Sequence, residues 1–327
     1  MSSAAIIMQG VTKRFRDKTA VDHLDLEVPA GSLCGFLGPN GAGKTTTIRM
    51  IMSIFYPDAG RISVLGKKSA VESKDRIGYL PEERGVYRKM RVGPFLNYMG
   101  RLKGLPAHGL DQKVKSWLER VGLPDCYKKK SEELSKGMQQ KVQYISAVIH
   151  EPELIILDEP FSGLDPVNRK LLRTLLEEQH AKGRTIIFST HAMFEAEQLC
   201  DHLFMISRGK KVLDMSVEDV WRTHDPRSVI VETLGSRKGE AGISDAQLTL
   251  ASIAGVENAM PTARGVELKL GEGVEPASVM SEAARRVSAL RIELKRPSLE
   301  DIFLDLAGES ADGMAPEEEK EAAVATR

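Results

Sequence analysis

The hydrophobic pattern divides the chain into parts of different texture. Residues 154–157 (LIIL) and 185–189 (TIIFS) are continuous apolar runs, separated by a helical stretch over 167–180. Short apolar runs without alternation predict strands buried on both faces, and their alternation with helices predicts a parallel sheet. Residues 4–8 (AAIIM), 24–28 (LDLEV), 32–37 (SLCGFL), 61–65 and 77–80 add further short strands, and the charged segment 13–20 (KRFRDKTA) reads as a turn. A glycine-rich loop after residue 37 leads into a helix over 44–54. From 93 to 150 the pattern is mainly helical, broken at 104–106 and 122–124 by glycine and proline. Residues 203–206 and 211–213 read as a closing hairpin around Arg208 and Gly209.

After about residue 220 the order changes. A strand at 228–233, a helix at 244–252, strands at 256–260 and 265–270, a helix at 276–289 and a strand at 290–295 run β-α-β-β-α-β, the order of a ferredoxin-like module. A helix over 299–307 follows, started by Pro297-Ser298 with Asp301 at the capping-box position and stopped by Gly308. The segment 309–327 is acidic, poor in large apolar residues and expected to be disordered. The expected domains are therefore 1–220, 221–308 and the tail 309–327.

Composition narrows the class. Hydrophobic residues at 42% and charged residues at 28% are ordinary for a globular chain, and 327 residues suffice for two cores. The apolar runs are a few residues long, whereas a membrane span needs about 20, so no spanning segment is expected. The first ten residues lack the basic start and long apolar stretch of a signal peptide. Cys34, Cys126 and Cys200 are odd in number and widely spaced, which fits neither a disulfide framework nor a zinc site. The 46 basic and 46 acidic side chains cancel, against a general nucleic-acid binder. The cancellation hides a split: residues 1–150 carry 25 basic and 14 acidic groups (+11), leaving 21 and 32 (−11) for residues 151–327.

Chemistry concentrates in two places. Gly38-Pro39-Asn40-Gly41-Ala42-Gly43-Lys44-Thr45 fits G-x-x-x-x-G-K-[ST] between a strand and a helix. Glycines let successive N–H groups turn toward one anion, and the helix N-terminus adds its dipole. Lys44 is then placed to reach the β/γ-phosphates of a nucleotide, and the Thr45 hydroxyl to ligate Mg²⁺. The run 154–157 ends in Asp158-Glu159. Alone this pair could be a solvated acidic turn. Beside a phosphate loop it reads as Asp158 holding Mg²⁺ and Glu159 polarising the attacking water.

Leu134-Ser135-Lys136-Gly137-Met138-Gln139-Gln140-Lys141 lies upstream of the carboxylates, Ser162-Gly163-Leu164-Asp165 downstream, and His191 closes the run TIIFST. Over about residues 4–220 the set resembles the ATP-binding subunit of an ABC transporter. The resemblance implies an α/β P-loop NTPase cassette: a mixed-sheet core and a helical subdomain at about 90–150, followed here by the small α+β ferredoxin-like domain. It also implies ATP and Mg²⁺ as ligands and roles for single residues. Phe15 would stack on adenine, and residues from Gly38 through Thr46 would hold the phosphates. Ser135, Lys136, Gly137, Met138 and Gln139 would contact the γ-phosphate of an ATP held by the opposite subunit. Ser162, Gly163, Leu164 and Asp165 would cross the dimer interface, and His191 would contact the γ-phosphate. The family usually has Gln where this chain has Glu82, another implied Mg²⁺ contact. Pro81-Glu82-Glu83-Arg84-Gly85 and Pro297-Ser298-Leu299-Glu300-Asp301-Ile302-Phe303 are similar to the sodium-export and daunorubicin-resistance branch, which carries an extra C-terminal domain.

The implied protein is an ATPase whose paired copies, or a copy paired with a second cassette subunit, sandwich ATP and drive a separate transmembrane permease. It would sit peripherally on the cytoplasmic face of the membrane, export a cargo and bind no nucleic acid. The C-terminal module is expected to stabilise the paired cassettes. The basic excess over 61–150, including Lys128, Lys129 and Lys130, would face permease and lipid. The competing expectation is a soluble ABC-type ATPase acting on ribosomes or DNA.

Overall fold

Half-buried alternation and continuous burial produce two different sheets in the first part of the chain. The computed structural model describes residues 4–83, 85, 87, 89–223, 228–233, 242–263, 265–295 and 298–312. The first two strands, β1 (Ala4–Phe15) and β2 (Lys18–Pro29), form an antiparallel hairpin. The charged segment expected to be a turn is mostly strand: Phe15 pairs with Lys18, and only Arg16 and Asp17 make the turn, with Arg16 at φ 50°. Polar residues occupy the watered face, while Val11, Val21, Leu24 and Leu26 are buried, so charge hides the strands from a count of apolar positions.

The chain then forms β3 (Leu33–Leu37), α1 (Lys44–Ile51), β4 (Ala59–Val64) and β5 (Ile77–Leu80). Helix α1 ends at Ile51, short of the expected residue 54, and Ser53 turns the backbone at φ 57°. The helical section comprises α2 (Val92–Leu102), α3 (Leu110–Arg120) and α4 (Lys136–Val148), which bury Leu96, Val114, Leu118, Val142 and Tyr144. The remaining elements of this part are β6 (Leu154–Asp158), α5 (Pro166–Ala181), β7 (Thr185–Thr190), α6 (Met193–Leu199), β8 (His202–Ser207), β9 (Lys210–Ser216) and α7 (Val217–Thr223).

Strands β2-β1-β4 make one antiparallel sheet. The other runs β5-β6-β7-β3-β8-β9, parallel except for β9. All residues of β3, β6 and β7 are buried, as continuous apolar runs require. The registers Leu37↔Thr190 and Asp158↔Ser189 bring the C-terminal ends of β3, β6 and β7 level. In open α/β sheets ligands bind beyond those ends.

The last part contains β10 (Ser228–Thr233), α8 (Gly242–Ala251), β11 (Val256–Pro261), β12 (Gly265–Leu270), α9 (Pro276–Arg286), β13 (Ala289–Lys295) and α10 (Leu299–Asp312). Its antiparallel sheet has the order β11-β12-β10-β13, the ferredoxin-like arrangement for a β-α-β-β-α-β chain. Val229, Val231, Val266, Leu268 and Leu270 form its core with Leu250, Val279 and Ala283 of the two helices. Ser298 and Asp301 cap α10 reciprocally: Asp301 N–H donates to Ser298 Oγ at 3.1 Å and Ser298 N–H to Asp301 Oδ2 at 2.9 Å. The helix continues through Gly308, the expected stop, to Asp312. Pro297 and residues 313–327, most of the tail expected to be disordered, lie outside the described residues. The chain divides into two compact units, Met1–Val217 with Phe303–Arg327, and Glu218–Ile302. The expected boundary at 220 falls inside α7, which begins at the junction of the two.

Candidate functional site

Four neighbouring parallel strands deliver chemical groups at their C-terminal ends: the glycine loop after β3, Glu82 after β5, Asp158 and Glu159 at the end of β6, and His191 after β7. An open cavity of about 420 Å³ is lined by Phe15, Asn40, Gly41, Gly43, Lys44, Thr45, Thr46, Glu82 and Glu159, with Lys18 and Ala20.

The loop's shape depends on its glycines. Gly43 caps α1 at φ 112°, and a Cβ there would lie 2.5 Å from the Ala20 carbonyl oxygen. A Cβ on Gly38 would run into the carbonyl of Ile206. Ala42 is buried and its N–H donates to the Pro39 carbonyl at 3.2 Å. The Lys44 ammonium donates to the carbonyls of Gly38 at 2.7 Å and Pro39 at 3.2 Å. It also stands 3.5 Å from Glu159 Oε1, with both side chains buried.

Asp158 is 0% exposed. Its Oδ1 accepts from Ser189 Oγ at 2.6 Å and from Thr45 Oγ1 at 3.1 Å, while Oδ2 is buried with no partner among the described residues. Burial raises the Asp158 pKa, and the Ser189 and Thr45 bonds oppose the rise. A buried carboxylate oxygen without a donor, beside a threonine hydroxyl, is the hard-oxygen donor set that Mg²⁺ takes. The residues present therefore fit that ion, although the described residues contain no group of three or more His, Cys, Asp or Glu poised for a metal.

Glu159 has a left-handed backbone, φ 49°. Its N–H donates to Ser189 Oγ at 3.0 Å, and His191 Nδ1 lies 3.0 Å from its Oε2. Ser189 thus touches both carboxylate residues. Sequence reasoning missed it, because inside a buried apolar strand it reads as a spacer. Phe15 is 41% exposed and meets Phe55 edge-on at 5.5 Å between centroids, leaving aromatic surface open to the cavity.

Among the described residues, 135–139 and 162–165 are not in the cavity's lining, nor are Gly38, Pro39, Ala42, Asp158 and His191, which reach it only through their neighbours in the loop and through Thr45 and Glu159. Ser135 is exposed and caps α4, accepting from Met138 N–H at 3.3 Å. Lys136 is exposed and Gly137 half-buried, with the Asn168 amide at the edge of its space. Gln139 turns back to the carbonyls of Ser131 and Leu134, at 3.0 and 3.1 Å. Ser162 and Gly163 are exposed, Leu164 is buried, and Asp165 caps α5 by accepting from Asn168 N–H at 2.9 Å.

A family model described as ABC transporter matches residues 21–162, and one described as the C-terminal domain of DrrA1-3-like ATP-binding proteins matches residues 216–307. An AAA domain model matches residues 129–196. The uncharacterized ABC transporter ATP-binding protein YhaQ of Bacillus subtilis (strain 168) is 41% identical over 91% of this chain and 97% of its own length. The Nod factor export ATP-binding protein I of Rhizobium sp. (strain N33) is 35% identical over 94% of this chain and 98% of its own. A solved ATP-binding subunit of an ABC transporter superposes with a TM-score of 0.63 at 29% identity, covering 67% of this chain and 92% of its own. The cbiO1 subunit from Clostridium perfringens superposes at 0.59 and 25% identity, covering 67% of this chain and 91% of its own.

Proposed function

The chain belongs to the ATP-binding proteins of ABC transporters, an ATPase family, and on that premise we propose that it drives an exporter through a separate permease, working as one of two cassettes that close on ATP. The observation that carries the site reading is the chain of contacts from Lys44 to Glu159 at 3.5 Å and on to His191 at 3.0 Å, beside the glycine loop.

In this reading the loop N–H groups and the start of α1 donate to phosphate oxygens, with Lys44 as their cation. Phe15 stacks on the base. Glu159 accepts a proton from the attacking water, and His191 orients Glu159 and meets the terminal phosphate. Thr45, Asp158 and Glu82 would hold Mg²⁺, which when bound neutralises phosphate charge. Residues 135–139 and 162–165 serve the ATP of the second cassette, a role that the exposed Ser135, Lys136, Ser162 and Gly163 leave open to them. Export is supported by the export-named relatives that match nearly the whole chain. A separate permease is supported by relatives named as ATP-binding proteins that are matched over nearly their whole length; among the described residues no helix is long and apolar enough to cross a membrane. Attachment to the membrane then runs through that permease.

The test is Glu159→Gln. Hydrolysis should fall by about 10²–10⁴-fold, the usual range for losing a general base, while nucleotide affinity persists and an ATP-bound dimer accumulates on a sizing column. Hydrolysis at the parental rate would remove Glu159 from the role.

A further inference from the structure

We infer that Glu195, Arg169 and Arg173 form a clasp that holds His191 against Glu159, making all three positioning residues for ATP hydrolysis. The inference rests on the roles proposed above for Glu159 and His191.

Glu195 lies on α6, four residues after His191, and is 2% exposed. Arg173 donates from Nη2 to its Oε2 at 2.8 Å, and Arg169 Nε stands 3.5 Å from its Oε1. Both arginines lie on α5, the helix capped by Asp165. Arg169 also donates from Nη2 to the Leu164 carbonyl at 3.4 Å. One side chain therefore touches both the 162–165 turn and the carboxylate on the helix that follows His191.

A carboxylate at this depth is costly unless paired. Its location gives the pairing a consequence. Helix α6 has seven residues and no side-chain cap at its start. Glu195 is in its first turn, so the grip of α5 on Glu195 fixes that turn. His191 itself is largely exposed, and its ring meets Glu159 through Nδ1, 3.0 Å from Oε2. Of the three, only Glu195 is buried; Arg173 and Arg169 reach it from the partly exposed side of α5.

The test uses the full chain, with steady-state ATP hydrolysis, binding of a fluorescent ATP analogue and thermal melting. Glu195→Gln keeps the shape and removes the charge. Arg169→Ala alters a half-exposed side chain and leaves Arg173 in place, so it should fold even if the first variant does not. In each folded variant kcat should fall by about tenfold or more, as small misplacements of reacting groups do. KM and nucleotide Kd should stay within about twofold, the signature of an interaction made in the transition state. A parental kcat in either variant overturns the clasp. So does a kcat that falls only as far as the folded fraction or the nucleotide affinity falls. His191→Ala separates the two readings: if it hydrolyses ATP at the parental rate, the role of His191 has failed. If it is inactive while Glu195→Gln and Arg169→Ala are not, only the clasp has failed.

Discussion

Replacing Ser189 with alanine isolates the electrostatics of the carboxylate pair. The change removes a 2.6 Å donor to Asp158 Oδ1 and the hydroxyl that accepts from Glu159 N–H at 3.0 Å. The second loss is small, since Glu159 N–H keeps the Ser189 carbonyl at 3.2 Å. The first is large, because Asp158 is fully buried and its remaining donor is Thr45. A hydrogen bond to a charged group contributes about 1.5–3 kcal/mol. Taking about 2 kcal/mol, the folding equilibrium near pH 7 shifts roughly 30-fold, and melting falls by about 4–8 °C for a cassette of this size. The dependence on pH has a definite sign. Burial raises the native pKa of Asp158 above its ordinary value, so the native state binds the proton more tightly than the unfolded chain. Stability then falls as pH rises through the window between the ordinary and the raised value. Losing the Ser189 donor raises the native pKa further and widens that window upward. The melting deficit of Ser189→Ala should therefore grow as pH rises through the titration of Asp158 and level off above it, measured by calorimetry in metal-free buffer over a pH series. A deficit that stays the same across the whole series would mean that the hydroxyl acts through packing. No deficit at pH 7 would mean that Asp158 does not draw on Ser189 for its charge.

Two further changes probe the loop and the buried thiols. Gly43→Ala should abolish the melting shift produced by ATP, because its Cβ would meet the Ala20 carbonyl at φ 112°; Gly66→Ala, at φ 75° with nothing within 4 Å, should keep that shift. Cys34, pushed up to about 12 by burial, and Cys200, also raised by burial, should resist alkylation at pH 8 in the native state and react after denaturation. Mass spectrometry reads both, and native labelling at the rate of a free thiol would contradict the burial.

What could be read from the chain alone follows from how local each signal is. LIIL and TIIFS announce β6 and β7 because burial on both faces removes every polar position from a strand. The glycine loop is legible because phosphate chemistry fixes its spacing within eight residues. The hairpin of β1 and β2 extends beyond its apolar runs, since Arg14, Lys18 and Thr19 lie on its exposed face. Helix α6 is two turns long and carries three polar residues in seven, too little for a 3.6-residue period to register. Ser189 and Glu195 act through partners 22 to 31 residues away in sequence, and no periodicity encodes such a pairing. A glutamate early in a short helix reads as a solvated face until two arginines from another helix are seen on it.

The carboxylate pair also shows why stability alone does not account for this site. Asp158 keeps a buried oxygen without a donor among the described residues, and Glu159 holds a left-handed backbone that side-chain-bearing residues rarely adopt. Each costs on the order of 1–3 kcal/mol. A solvated acidic turn, the bland reading of Asp158-Glu159, would relax both by exposing the carboxylates and extending the backbone. It does neither: both side chains are buried, and the left-handed turn at Glu159 accompanies its contacts with Lys44 and His191. A ligand bound only by the native state, at 1,000 times its Kd, returns about 4.1 kcal/mol, the same size as the two costs together. Adjacent penalties of this kind persist where a bound cation and phosphate offset them, and the Lys44 cation already stands between the phosphate loop and the first oxygen of Glu159.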